Sequence, residues 1–392
     1  MLIKILIKIN KKILSFLLRH IKKLLKIILG KSLFYKFFYI NVSVLSSKDF
    51  IKWWKEYKKF NKLDLDLQLM LDDLLTNQNF KNYSPYWNYL TQSHIKILND
   101  SGVKNFKQTI ERFHYSGEGA VGVKLLEPIW NDNILIQYDS AELLKKHDLC
   151  SEQESKQYNR ANLILLNYLI KNKYHMYLEK LEEQQFGNPI IFNYQNKRYS
   201  FSLLSTILEI SLIEKYIDLN QYNSILEIGA GSGRICDALM QINNNLNYTI
   251  VDIPPALFIS WSNLSNSFKN KKIFKYRNFK NFNEIEKEFI SCDIRFLSPE
   301  QLELIPNKFF DLSIAVDCLH ELNKAQVDKY FYEFNRLSKF CYFKCQNIQW
   351  ATFEKKEKYN INNYPVKSNW NKIIHEKCHI PNGYFHTLYK IN

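Results

Sequence analysis

Three glycines at alternate positions, Gly229, Gly231 and Gly233, close the run SILEIGAGSGR (residues 224–234). The apolar pair Ile225-Leu226 and the acidic Glu227 precede them, and a helical pattern resumes at Ile235. Glycine tolerates positive φ and lets another molecule lie against the backbone, so the run reads as strand, tight turn and helix shaped around a ligand. A second apolar run, Tyr248-Thr249-Ile250-Val251, ends in Asp252, twenty-one positions beyond Gly231. An acid at the tip of the second strand, roughly 20 residues on, is where a βαβ unit holds a ribose diol. A carboxylate can take both hydroxyls because its oxygens only accept. Glu227 narrows the ligand. A pyrophosphate read by a helix N-terminus wants no negative charge beside it, which disfavours a nicotinamide dehydrogenase. A cationic ligand does want one, and S-adenosylmethionine carries an ammonium and a sulfonium.

A second group of reactive types lies in FDLSIAVDCLHEL (residues 310–322), where Asp317, His320 and Glu321 follow an apolar strand. Methyl transfer is an in-line displacement from a positively charged sulfur, so a protein supplies mainly proximity, orientation and a dry site. A hydroxyl acceptor must also lose a proton. Histidine suits general-base work near neutral pH, with Glu321 placed to orient His320 or hold the acceptor. No second ligand cluster accompanies these three, and none of the seven scattered cysteines forms a CxxC pair, so we expect no metal. Amino-directed nucleic-acid methyltransferases carry [N/D]PP[Y/F] at the fourth strand to hold a flipped base. This chain has Ala315-Val316-Asp317-Cys318 there, and Asp252-Ile253-Pro254-Pro255 is on the wrong strand with one residue too many.

The elements that would position these residues alternate. From residue 225 the order reads strand, helix (235–242), strand (248–252), a helix opened by Pro254-Pro255, strand (near 293–297), helix (299–304), strand (310–316), helix (322–338) and strand (340–345). Such alternation calls for a mostly parallel, doubly wound sheet with ligands at the carboxyl ends of its strands. Residues 379–391 read as a turn and a final antiparallel edge strand. Upstream, residues 48–63, 64–75, 86–100 and 152–185 read as helices, and residues 190–194 with 197–200 as a hairpin. Between them the glycine cluster of residues 115–122 reads as a loop or lid. Trp53, Trp54, Trp87 and Trp130 read as core aromatics.

The chain has 392 residues, 46% of them apolar, and a formal net charge of +15. Residues 1–40 contribute nine lysines, Arg19 and no acid, so ten of those fifteen charges sit in this arm and the body is close to neutral. Nucleic-acid binding is therefore not expected of the body. At about 100° per residue, Lys4, Lys8, Lys11, Lys12, Arg19, Lys22, Lys23 and Lys26 project within an arc of roughly 120°, and Leu, Ile and Phe fill the rest. No uncharged run reaches the ~20 residues that cross a bilayer. Residues 1–30 are expected to lie on an anionic membrane surface, each basic side chain contributing on the order of 1 kcal/mol.

Several separated segments carry a resemblance: GNP (187–189), SLLSTILEISLIEKY (202–216), ILEIGAGSGRI (225–235), VDIPPALFIS (251–260), RFLSPEQLELIPNKFFDLSIAVDCLHEL (295–322) and YFKCQ (342–346). Over roughly residues 185–392 the chain resembles the bacterial sugar O-methyltransferases. The resemblance implies an α/β, Rossmann-like class I methyltransferase fold: a mostly parallel sheet with an antiparallel terminal strand and a mainly helical N-terminal addition. It divides the chain into the basic arm (1–40), a helical region (41–185) and an S-adenosylmethionine-binding domain (186–392). The expected cofactor set is Glu227, Gly229, Ala230, Gly231, Gly233, Asp252 and Ile253, with Phe296 and Leu297 flanking the adenine. Asp317, His320 and Glu321 form the expected catalytic set. The expected acceptor is a sugar or lipid-linked glycan in surface polysaccharide or lipopolysaccharide synthesis, at the inner face of the cytoplasmic membrane. An RNA or small-molecule methyltransferase, or a membrane-associated scaffold with a dead cofactor site, are the alternatives. Oligomeric state is not legible.

Overall fold

The computed structural model describes residues 46–76, 85–110, 126–129, 152–347 and 359–392. The basic arm, the glycine cluster at 115–122 and Trp130 lie outside these residues. Residues 47–392 form one compact unit. Its N-terminal part is helical: α1 (Ser47–Phe60), α2 (Leu65–Thr76), α3 (Pro85–Ser101), α4 (Glu152–Lys171) and α5 (His175–Lys180). The single helix expected over 152–185 is in fact two elements and a loop. Helix α4 closes on Lys173, whose φ of 65° is left-handed. There the Tyr174 N–H bonds the Leu169 carbonyl (3.0 Å) and the Lys173 N–H that of Ile170 (3.1 Å). This pairing usually announces itself with glycine, which is why the break is silent in the sequence.

A hairpin, β1 (Phe192–Tyr194) and β2 (Lys197–Tyr199), leads into α6 (Phe201–Tyr216). Ser200 Oγ caps that helix by accepting from the Leu203 N–H at 3.1 Å. Helix α6 is apolar around most of its circumference, so it is stable only when covered on all sides. Leu204, Ile207, Ile210 and Ile213 are fully buried. Truncating one of them to alanine would cost about 2–5 kcal/mol.

The main sheet contains β3 (Ser224–Ile228), β4 (Asn247–Val251), β5 (Ile273–Phe274), β6 (Ile294–Leu297), β7 (Phe310–Val316), β8 (Ser338–Gln346), β9 (Trp370–Lys377) and β10 (Tyr384–Ile391). Their spatial order is β5-β6-β4-β3-β7-β8-β10-β9. All neighbours from β5 to β8 are parallel, and β10 runs antiparallel to both β8 and β9. The connections are α7 (Arg234–Ile242), α8 (Ala256–Ser267), α9 (Glu286–Ser291) and α10 (Lys324–Leu337). The stretch expected as a helix at 299–304 is a 3-10 helix, Pro299–Leu304. This is the expected Rossmann-like class I methyltransferase fold with one correction. The antiparallel strand is one place in from the edge, because β9, unread in the sequence, lies outside it.

Parallel strands covered on both faces should be apolar nearly throughout, and β3, β4 and β6 are buried along almost their whole length. The chain steps outward from β3 to β4 and β6, then returns across β3 to β7. The order therefore reverses between β3 and β7, and a crevice opens at their carboxyl ends.

Candidate functional site

A cleft of about 930 Å³ occupies that crevice. Glu227, Gly229, Ala230, Gly231, Asp252 and Ile253 line one side of it, and Asp317, Cys318 and Glu321 the other. Two glycines are needed for separate reasons. Gly229 has a φ of 69°, and a Cβ there would stand 2.5 Å from the Cβ of Cys318, so only glycine lets the loop after β7 close on the loop after β3. Gly233, at φ 79°, opens α7, and a Cβ would come within 2.9 Å of Leu264 on α8. Gly233 thus serves helix packing and does not line the cleft.

Glu227 is 2% exposed, and its Oε2 accepts from the Tyr248 hydroxyl at 2.8 Å. Burial pushes its carboxyl up to about 7, against that hydrogen bond and the charge of Arg234. Asp252 accepts from the Gly231 N–H at 2.8 Å and the Ile253 N–H at 2.7 Å. Burial still pushes it up to about 7. Glu227 is on β3 just before the glycine turn, and Asp252 follows the adjacent parallel β4 and bonds the middle glycine of that turn. Two carboxyls buried beside an apolar sheet are costly to keep, which marks the pair as a candidate for binding.

Phe296 and Leu297 do not reach the cleft. Both are fully buried within β6. The residues that do line the cleft beyond Asp252 are Ile253, Leu322, Gln326 and Tyr330, the last three from the segment after β7. The two residues expected to flank the adenine are therefore not among those that line the cleft. Trp87, on α3, also lines the cleft, so the helical region supplies part of its wall. Trp54 is a core aromatic at 1% exposure, as expected, whereas Trp87 has a second role that composition could not reveal.

Asp317, His320 and Glu321 follow β7 but face different ways. Asp317 holds a left-handed φ of 59°, donates its N–H to the Lys344 carbonyl (2.9 Å), and lines the cleft. Its Oδ1 has no hydrogen-bond partner among the described residues. A non-glycine residue in this conformation is strained, and such strain concentrates at functional sites. Glu321 lines the cleft, and burial, then the charges of Asp317 and Asp252, push it up to about 8. His320 is absent from the cleft wall. It is 4% exposed and meets the Tyr384 ring edge-on at 6.3 Å. Burial brings its imidazole down to about 4, with Asp317 offsetting only part.

Sequence reasoning missed a buried ionic group behind the cleft. Glu209, mid-way along the apolar α6, takes Arg234 Nη1 at 2.5 Å and Nη2 at 3.0 Å, and Lys344 Nζ at 2.7 Å. Burial alone would raise Glu209, but the two cations outweigh it and hold it at about 2. Thr206 Oγ1 accepts a further bond from Arg234 Nη1 at 2.6 Å. This fixes the guanidinium, which lines the cleft beside the glycine turn. A lone acid, Glu209, in the apolar run 203–213 was the available signal, since an unpaired buried charge is not tolerated. Further along β8, Gln346 faces its cross-strand partner Tyr384, and Gln346 Nε2 donates to the Tyr384 hydroxyl at 2.7 Å. Gln346 Oε1 is another atom with no partner among the described residues. Also among the described residues, no three His, Cys, Asp or Glu side chains are grouped to hold a metal, and no helix is long and apolar enough to cross a membrane.

No protein-family model and no curated protein matches the chain. Among solved structures it is similar to the PH0226 protein of Pyrococcus horikoshii OT3, at 14% identity and TM-score 0.32 over 47% of this chain and 88% of that one. It is also similar to the mitomycin 7-O-methyltransferase MmcR, at 16% identity and TM-score 0.24 over 37% and 39%. An O-methyltransferase family protein from Burkholderia thailandensis aligns at 8% identity and TM-score 0.32 over 48% and 57%. The chain spans less than two thirds of the length of the latter two. The fold assignment rests on the strand order and directions given above.

Proposed function

We propose that the protein is an S-adenosylmethionine-dependent O-methyltransferase acting on a sugar hydroxyl, in surface polysaccharide or lipopolysaccharide synthesis. The observation that carries this reading is the pair of buried carboxyls, Glu227 and Asp252, beside a glycine turn in a crevice at a topological switch point. The residues present fit the cofactor. Glu227 would take the ammonium, Asp252 the ribose hydroxyls, and Ile253, Leu322 and Tyr330 the adenine face. When bound, S-adenosylmethionine supplies a methyl group on a positively charged sulfur.

The chain's own residues do the rest. Trp87 and the apolar wall exclude water, and the fixed Arg234 and glycine backbone hold the cleft's shape. Glu321, the titratable group on the acceptor side of the cleft with a value near working pH, takes the proton from the acceptor hydroxyl. His320 stands behind it against Tyr384. Asp317 Oδ1, and beyond it Gln346 Oε1, offer acceptors to neighbouring hydroxyls, which favours a polyhydroxylated acceptor. Residues 1–30 would hold the enzyme on the anionic inner face of the cytoplasmic membrane, where glycans are built on lipid carriers.

The test has two stages. Calorimetric titration should first detect S-adenosylmethionine binding. The purified protein is then screened with labelled methyl donor against nucleotide sugars, lipid-linked oligosaccharides and RNA. Label on a saccharide is expected, and label on RNA alone would overturn the substrate assignment.

A further inference from the structure

Helix α1 presents two unlike faces. Phe50 and Trp54 are buried on one. On the opposite face Lys48, Lys52, Lys55 and Lys59 recur at spacings of four, three and four, a stripe about 60° wide at 3.6 residues per turn. Lys62 continues it past the helix end. All five lysines are exposed and none is in an ion pair among the described residues, whereas Lys58, off the stripe, is spent on Asp72 at 2.7 Å. Exposed acids along this surface are fewer: Asp49, Glu56 and Asp64. Asp66 is neutralised by Lys275 at 2.5 Å.

The stripe ends at the two most exposed large apolar side chains among the described residues, Phe60 and Leu65, with Leu69 beside them. Phe60 is 85% exposed, Leu65 81% and Leu69 48%. Leu65 and Leu69 share one face of α2, one turn apart, and Phe60 closes α1 just across the turn. Three large apolar side chains within ten residues are more than the scattered singles an ordinary surface carries.

We propose that the α1 stripe and the α1–α2 turn form a docking surface for an anionic lipid bilayer. Phe60, Leu65 and Leu69 enter the headgroup boundary, and Lys48, Lys52, Lys55, Lys59 and Lys62 pair with lipid phosphates along the membrane plane. Charge complementarity names the lipid as anionic, and the aliphatic tip separates it from nucleic acid, to which leucine side chains offer nothing. Helix α1 packs on α3, and α3 carries Trp87 of the cleft wall. Docking on α1 therefore sets the cleft about one helix layer from the lipid surface, within reach of an acceptor held on a membrane carrier. The proposal shares its partner with the reading of residues 1–30 but rests on a separate surface.

The test uses the full chain carrying an environment-sensitive NBD label on Leu65→Cys, with Met176→Cys as control. Met176 is 49% exposed on α5, far along the chain from the turn. On vesicles of phosphatidylcholine with one third phosphatidylglycerol, the label at position 65 should brighten and shift to the blue, and that at 176 should not. The triple variant Lys55→Glu, Lys59→Glu, Lys62→Glu should bind the same vesicles at least tenfold more weakly in about 0.1 M salt, with S-adenosylmethionine binding unchanged. A chain that pellets with vesicles while the label at 65 stays silent overturns this surface and leaves the arm as the anchor. A chain that does not pellet overturns both. Binding of polyuridylate lost in the triple variant, with no vesicle binding, replaces the lipid by RNA.

Discussion

The two walls of the cleft are built differently. On the β3–β4 side, the acids already have partners nearby: Asp252 accepts from the Gly231 and Ile253 N–H groups, and Glu227 from the Tyr248 hydroxyl. On the β7 side, Asp317 Oδ1 has no partner among the described residues and Asp317 is held in a strained conformation; outside the cleft lining, His320 Nδ1 and Gln346 Oε1 likewise have no partner among the described residues. The first wall is a finished receptor for one ligand. The second carries unmet hydrogen-bonding capacity, the condition expected of a surface that awaits a polar substrate.

The comparison is broken most sharply by chemistry on the second wall. Replacing Glu321 by Gln keeps its size and removes the proton acceptor. Turnover should fall about 10²–10⁴-fold while the affinity for S-adenosylmethionine stays within a few-fold. In the same assay His320→Ala should cost far less, because His320 does not line the cleft. Equal losses in the two variants would return the base role to His320.

On the first wall, Asp252→Ala removes the carboxylate that accepts from the Gly231 N–H and that the proposed function assigns to the ribose. Calorimetry should register a loss of affinity of about 10–100-fold, as expected when charge-assisted hydrogen bonds are deleted. A variant that binds the cofactor equally well would sink the ribose assignment. Glu227→Gln, which keeps the Tyr248 contact, isolates the charge term and should weaken binding less.

The first wall was legible and the second was not, for a physical reason. Glu227, the glycines and Asp252 fall within a single βαβ unit of twenty-six residues, so their spacing in the chain dictates their spacing in the crevice. The order of β3, β4, β6, β7 and β8 was readable because each has a mainly apolar core, whereas the two-residue β5 and the short α9 between β4 and β6 were too brief to leave a pattern and went unread. The second wall follows β7, and next to it the Gln346–Tyr384 pairing depends on a β8–β10 register that no local pattern encodes. Strand β9 escaped because it is an edge strand exposed over much of its length, so it lacks both an apolar run and clean alternation. Phe296 and Leu297 were misplaced because a buried strand end and a ligand-facing one have the same apolar composition.

Protonation offers a subtler contrast. Glu227 and Asp252 are both raised to about 7 by burial in the ligand-free protein, so each keeps a proton that the unfolded chain releases near its ordinary value. The folded state then binds more protons than the unfolded one between about pH 4 and 7, and stability falls as pH rises through that window. A cationic ligand needs both acids ionised. Its affinity should therefore climb as pH rises toward about 7 and level off above it, by up to about tenfold per pH unit for each proton released. Thermal melts with and without S-adenosylmethionine should diverge over the same range, and a ligand-induced shift that is flat with pH would show that the acids are already ionised.

The smallest expected effect is the most discriminating. Gln346→Leu keeps the volume, removes the orphaned Oε1 and releases the Tyr384 hydroxyl, while touching nothing on the cofactor wall. If the second wall holds a polyhydroxylated acceptor, KM for the saccharide should rise several-fold with kcat little changed, since a hydrogen bond made equally in ground and transition states acts on binding alone. Tyr384→Phe should do the same more weakly, as it leaves the Gln346 carbonyl oxygen free to accept. An effect on kcat alone would instead place Gln346 behind Asp317 as a support for its strained backbone, through the Lys344 carbonyl two residues earlier on β8. Cofactor affinity unchanged in both variants keeps the two walls separable; a shared loss would mean that the cleft is a single cooperative unit.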